Sequence, residues 1–205
     1  VTESGAIHGR PSDSLTVAQA ETVIMQLANF HACFWDRVTD DPDYFWLASS
    51  VRRLEDNLGA ILAVPLMKRG LKLAGSLVPK AIYEPILHYA RNRKKAMQFL
   101  TNNMQTLIHH DCHPGNLFWN HVEPGFFDWQ MVRIGEGVSD VSYLLGTSLE
   151  PKARKNHENV LLDLYLQFFH QKGIVSLEIK SLKQRYRAHL AYAFEAMLLT
   201  LAGGG

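Results

Sequence analysis

Only two cysteines occur in the 205 residues, Cys33 and Cys112, and no CxxC spacing links them. That excludes a disulfide scaffold and a structural zinc site as organising devices, and a reducing, cytoplasmic setting fits the composition. An excess of one charge is also lacking. Lys and Arg number 21 against 20 Asp and Glu, a formal net charge of +1, so nothing draws the whole chain to nucleic acid or an anionic membrane, and any anionic ligand must be held by local design. Long apolar runs are missing as well: the most apolar interior stretch, Leu58 to Ala81, is interrupted by Lys68, Arg69 and Lys72. With no basic-then-apolar leader at the start, neither a signal peptide nor a membrane span is expected.

What is present, 47% hydrophobic and 20% charged residues, suffices for one globular domain with a sizeable core. The sequence divides into a polar lead-in (1–15), a helical region (16–106), a segment of short strands and loops (107–134) and C-terminal helices (135–205). Thr16 with Gln19 three residues later makes a capping-box pattern, after which Val17, Ala20, Ile24, Leu27, His31 and Phe34 recur at helical spacing. His31 lies on that apolar stripe and reads as a packing histidine. Several helices are expected from about Phe45 to Asn103, punctuated by Pro65, Pro79 and Pro85. The basic run Arg91, Arg93, Lys94, Lys95 reads as the solvated face of one of them. Leu117-Phe118-Trp119 and Gly125-Phe126-Phe127 flank Asn120 to Pro124 as a short hairpin, and Asn156 to Gln171 and Leu182 to Leu201 are the clearest later helices.

The chemically informative segment runs from Leu107 to Phe118 and includes His109-His110-Asp111-Cys112-His113-Pro114-Gly115-Asn116; Phe127-Asp128-Trp129 follows. Its form is HxDxxxxN, a hairpin, then an Asp at the end of an apolar strand. Phosphoryl transfer to a hydroxyl asks little covalent chemistry of a protein, but it needs a carboxylate beside the acceptor and oxygen ligands for magnesium. Asp111 can take the hydroxyl proton, while Asn116 and Asp128 offer an amide oxygen and a carboxylate to a hard cation. Pro114-Gly115 supplies the turn that lets base and ligand converge.

These strings resemble the catalytic loop and metal-binding segment of the aminoglycoside phosphotransferase and choline kinase-like superfamily, including its ecdysteroid kinase-like branch. Arg133, Gly135, Gly137, Asp140 and Tyr143 are similar to the segment after its metal Asp, and Val17 to Trp35 to the first helix of its C-terminal lobe. The resemblance implies an α+β, mostly helical fold: the C-terminal lobe of a protein-kinase-like architecture with a small β-hairpin carrying the catalytic and metal-binding loops. It implies Asp111 as catalytic base with His109 orienting the loop, Asn116 and Asp128 binding magnesium and through it ATP, and Asp140 and His113 supporting the loop. No Gly-rich loop or strand Lys precedes Thr16, so the expectation is that the N-terminal lobe is absent and that this chain by itself grips ATP poorly. His110 stands where many relatives carry Gly. The expected partner is a small-molecule alcohol, with no nucleic acid and no membrane. Phe45, Trp46, Leu58, Leu62, Leu66, Tyr83 and Tyr89 lean toward a less polar acceptor than an aminoglycoside, although core packing explains them equally.

Two other readings compete. His109, His110, Asp111 and His113 form a His/Asp cluster of the kind metal-dependent hydrolases place around zinc, yet that leaves Asn116 and Asp128 without a purpose. A pseudokinase or binding module would keep the fold without chemistry, and the intact trio of Asp111, Asn116 and Asp128 argues against it.

Overall fold

The computed structural model describes residues 5–48, 50–101 and 103–204, so residues 1–4 of the polar lead-in and Gly205 lie outside the described residues. Among them the chain forms helices α1 (Val17–Phe34), α2 (Ser50–Ala74), α3 (Tyr83–Arg91), α4 (Arg93–Leu100), α5 (Val138–Ser148), α6 (Pro151–Gln171) and α7 (Ile179–Gly203). The strands are short: β1 (Ile7–His8), β2 (Thr106–Ile108), β3 (Leu117–Asn120), β4 (Glu123–Phe126) and β5 (Arg133–Gly135).

Helix α1 starts at a reciprocal cap, with the Thr16 hydroxyl accepting from the Gln19 amide at 3.2 Å and the Gln19 side chain accepting from the Thr16 amide at 2.9 Å. The apolar spacing then buries Ala20, Val23, Ile24, Leu27, Ala28 and His31 on one stripe, against Leu161, Leu162, Tyr165 and Phe169 of α6. Full burial stabilises each large aliphatic side chain by about 1.5–3 kcal/mol. Helix α5 has no solvent face to speak of, with nine of its residues buried from Val138 to Ser148, and α7 lies across both it and α2.

Two small antiparallel sheets hold the loops. Hairpin β3–β4 pairs Leu117 with Phe126, and β1 adds to its free edge by pairing Ile7 with Trp119. Strand β2 pairs with β5, Leu107 opposite Ile134. The Thr106 hydroxyl donates to the His31 carbonyl at 2.7 Å, tying this second sheet to α1. One more hydrogen bond, Phe127 N–H to the Asn116 carbonyl at 3.2 Å, continues the β3–β4 ladder past its end. Asp128 is thereby delivered one residue beyond the partner of Asn116.

The structure corrects two expectations in the helical region. Pro65 does not divide it, because α2 runs unbroken through that position. The proline costs an interior hydrogen bond, about 3 kcal/mol, which burial of Ala63, Met67 and Leu71 on the same helix offsets. Pro79 does mark a break, ahead of a 3-10 turn at Lys80–Ile82, and Pro85 sits harmlessly in the first turn of α3. The basic run is split at Asn92 between α3 and α4, and it is not wholly solvated. Arg93 turns inward, its Nε 2.6 Å from Glu195 Oε1, because Glu195 is buried on α7 and needs a counter-charge.

Candidate active site

The loop after β2 is built around Asp140, a carboxylate without solvent exposure in the first turn of α5. Its Oδ2 accepts from the His109 amide at 2.7 Å and its Oδ1 from the His110 amide at 2.8 Å. His31 Nε2 lies 3.1 Å from Oδ2, and the other ring nitrogen, Nδ1, is 2.8 Å from the Tyr165 hydroxyl. In its neutral form the ring donates from Nε2 to the carboxylate and accepts at Nδ1. Burial, then the Asp140 charge, push the Tyr165 phenol well above its ordinary value, so it stays protonated and can donate. A buried carboxylate is tolerable only with such a set of donors, and these donors are the loop backbone itself. Space for the His31–Tyr165 pair depends on Gly137, where a Cβ would stand 2.5 Å from the Tyr165 hydroxyl.

His109 uses both ring nitrogens on backbone: Nε2 donates to the Phe127 carbonyl at 2.9 Å and Nδ1 accepts from the Asp111 amide at 3.3 Å. It therefore joins the Asp111 loop to the residue preceding Asp128. The Asp111 carboxylate, 23% exposed at the side chain, accepts at Oδ1 from the Tyr143 hydroxyl at 2.7 Å and at Oδ2 from Asn116 Nδ2 at 3.1 Å. Burial, then the Asp111 charge, push the Tyr143 phenol far up, which keeps it a donor. Asn116 also donates from Nδ2 to the Asp111 carbonyl at 2.9 Å. With both amide protons spent on Asp111, its Oδ1 takes none of the hydrogen bonds formed among the described residues. Asp128 is exposed, in left-handed conformation (φ 60°, ψ 61°), with Gln130 Nε2 at 3.4 Å from its Oδ2. An amide oxygen and a carboxylate with lone pairs to spare are hard donors of the kind that magnesium takes.

His113 caps a 3-10 turn, its Nδ1 accepting from the Gly115 amide at 3.0 Å, and its Nε2 stands 3.8 Å from Asp111 Oδ2, beyond hydrogen-bonding distance. Cys112 is buried, its thiol donating to the Asp140 carbonyl at 3.1 Å and pushed well up by burial, so it is not a nucleophile. Trp129 packs on His109 and Phe30 with ring centroids 4.6 and 5.1 Å apart. The His/Asp-rich string does not gather as a zinc cluster would. Among the described residues no three His, Cys, Asp or Glu side chains converge to hold a metal.

A model of the ecdysteroid kinase-like family matches residues 9–174. The chain belongs to the ecdysteroid kinase-like family. Comparison with curated proteins and with solved structures returns no match. Membership places this mostly helical chain within the superfamily of protein kinase-like, aminoglycoside phosphotransferase and choline kinase proteins, and makes it a kinase-like small-molecule phosphotransferase. No helix among the described residues is long and apolar enough to cross a membrane.

In this ecdysteroid kinase-like chain the groove next to Asp111 is not walled by the apolar residues singled out from the sequence. It has a volume of about 500 Å³, and Leu77, Val78, Phe194, Met197 and Leu201 line it together with His113 and Tyr143. Phe45, Trp46, Leu58 and Leu62 are exposed instead, and Tyr83 and Tyr89 bond to Leu71 and Glu195. Sequence reasoning overlooked α7 as a wall, and also Tyr143, His31 and Tyr165 as the supports of Asp111 and Asp140. A usable signal existed for His31: it is the lone titratable residue on the apolar stripe of α1, and a buried His needs a partner.

Proposed function

We propose that the site transfers the γ-phosphoryl group of ATP to the hydroxyl of a small, largely apolar alcohol, with Asp111 as base and Asn116 and Asp128 as magnesium ligands. The observation that carries this reading is the division of labour in Asn116. Its two N–H bonds orient Asp111 while its oxygen is left for a cation, so one side chain couples base and metal site. Tyr143 and Asn116 each hold one oxygen of the Asp111 carboxylate, which fixes the direction from which a hydroxyl proton is taken. His109 ties the loop to Phe127 and so keeps Asp111 and Asp128 in register. A magnesium ion held there would neutralise charge on the transferring phosphate. The apolar groove, whose lining includes Tyr143 and His113, favours an acceptor with an apolar body.

The test is Asp111→Asn in the full-length gene product, assayed with magnesium–ATP and a panel of apolar alcohols. Turnover is expected to fall roughly 10²–10⁴-fold while the thermal midpoint stays within a few degrees. Near-wild-type turnover in a folded variant would sink the mechanism.

A further inference from the structure

A second cavity, of about 340 Å³, shares none of its lining residues with the groove. His110 and Tyr192 face this cavity, whereas His113 and Tyr143 face the groove. The His110 ring stacks on Tyr192 at 4.2 Å between centroids. Much of the remaining wall is apolar, from Met97, Leu100 and Ile108.

The polar groups of the wall are unevenly satisfied. Glu136 is gripped by Arg185, Nε to Oε2 at 2.7 Å, with His189 Nε2 3.4 Å from the same oxygen. Arg93 is matched by Glu195. Arg133 is different. Its Nη1 stands 3.3 Å from Oδ1 of Asp56, a mostly exposed acid, but its Nε is buried and has no hydrogen-bond partner among the described residues. Arg133 lines the cavity, and a guanidinium N–H is always protonated and can only donate, so an oxyanion entering the cavity offers the acceptor that this side chain lacks among the described residues. Lys94, exposed at the rim, adds positive charge without a buried carboxylate to spend it on.

We propose that this cavity binds a small organic oxyanion with an apolar body, a carboxylate or a phosphate monoester, seated on the Arg133 guanidinium. The guanidinium edge provides the planar fork that oxyanions match, and Met97, Leu100, Ile108 and the Tyr192 ring take the body. Because His110 forms part of the wall, occupancy is felt one residue from Asp111. The site goes beyond the phosphotransfer reading and does not depend on it.

The test is calorimetric titration of the protein with 2-naphthoate, 2-naphthyl phosphate and the neutral 2-naphthalenemethanol. At least one anion is expected to bind about tenfold or more tighter than the alcohol, a 1.4 kcal/mol difference, and the tighter anion identifies the headgroup. Arg133→Met should erase that preference. Asp56→Asn, which removes the acid competing for the guanidinium, should tighten the anion. Met97→Trp, which fills the cavity, should abolish binding. Should Arg133→Met unfold by circular dichroism, the opposite effects of the other two variants carry the test. Anions bound no tighter than the alcohol, anion preference surviving in folded Arg133→Met, or loss of the anion in the groove variant Met197→Glu each overturn the proposal.

Discussion

His110 and Asp128 are non-glycine residues held at φ 69° and φ 60°, and both flank the candidate chemistry. Left-handed backbone costs an L-residue roughly 1–2 kcal/mol, so something must impose it. For His110 the cause is Asp140, whose carboxylate takes the amides of residues 109 and 110 together and turns the chain sharply there. That is a position where glycine would be at ease, and what His110 gains in exchange is a stacked ring on Tyr192. Both His110→Gly and His110→Ala lose the ring, but only glycine is relieved of the strained φ. The glycine variant is therefore expected to be the more stable by about 1 kcal/mol, the reverse of the order in a helix, as read by urea denaturation. Alanine equal to or above glycine would mean that the turn relaxes when the ring is gone.

Between elements, a close backbone approach lies where α2 crosses α7. A Cβ at Gly70 would stand 2.3 Å from the Leu198 carbonyl oxygen, which is helix backbone and cannot rotate away. Within an isolated helix Gly70→Ala gains about 1 kcal/mol of propensity. Here the clash wins, because separating the helices disturbs Met67, Leu71 and Leu198 in the cluster they share, and overpacking costs typically about 1–3 kcal/mol. Net destabilisation with a lowered thermal midpoint is expected, and because α7 also walls the groove, acceptor KM should rise more than ATP KM. A neutral or stabilising Gly70→Ala would show that the crossing has slack.

Over the whole molecule, several acidic protons are locked inside. Cys112 is pushed well above the usual thiol value of 9.0 by burial, and Tyr143, Tyr165 and Tyr186 are raised from 10.0, again chiefly by burial and then by neighbouring carboxylates. The unfolded chain releases these protons at their ordinary values while the native state keeps them. Their contribution to stability is complete below pH about 8.5 and is lost progressively as pH rises beyond it toward the raised native values. The thermal midpoint should thus decline from pH 9 to 11, and Cys112→Ala combined with Tyr186→Phe should flatten the decline. A midpoint level to pH 11 in the parent protein would contradict this account.

The parts legible in the sequence are those set by neighbours along the chain. The α1 cap, the hairpin around Asn120 to Pro124 and the convergence of Asp111 with Asn116 within five residues all follow from turn chemistry and periodicity, which act over one or two turns. Tertiary structure decided what holds them. His31 and Tyr165 meet across 134 positions and His31 and Asp140 across 109, and α7 closes both the groove and the second cavity from the far end of the chain. Hydrophobic periodicity says that such side chains are inward-facing but not which one they face. The HxDxxxxN string was readable because its atoms are close in sequence. The buried carboxylate that shapes it is close only in space, where the cost of an unpartnered charge selects its donors.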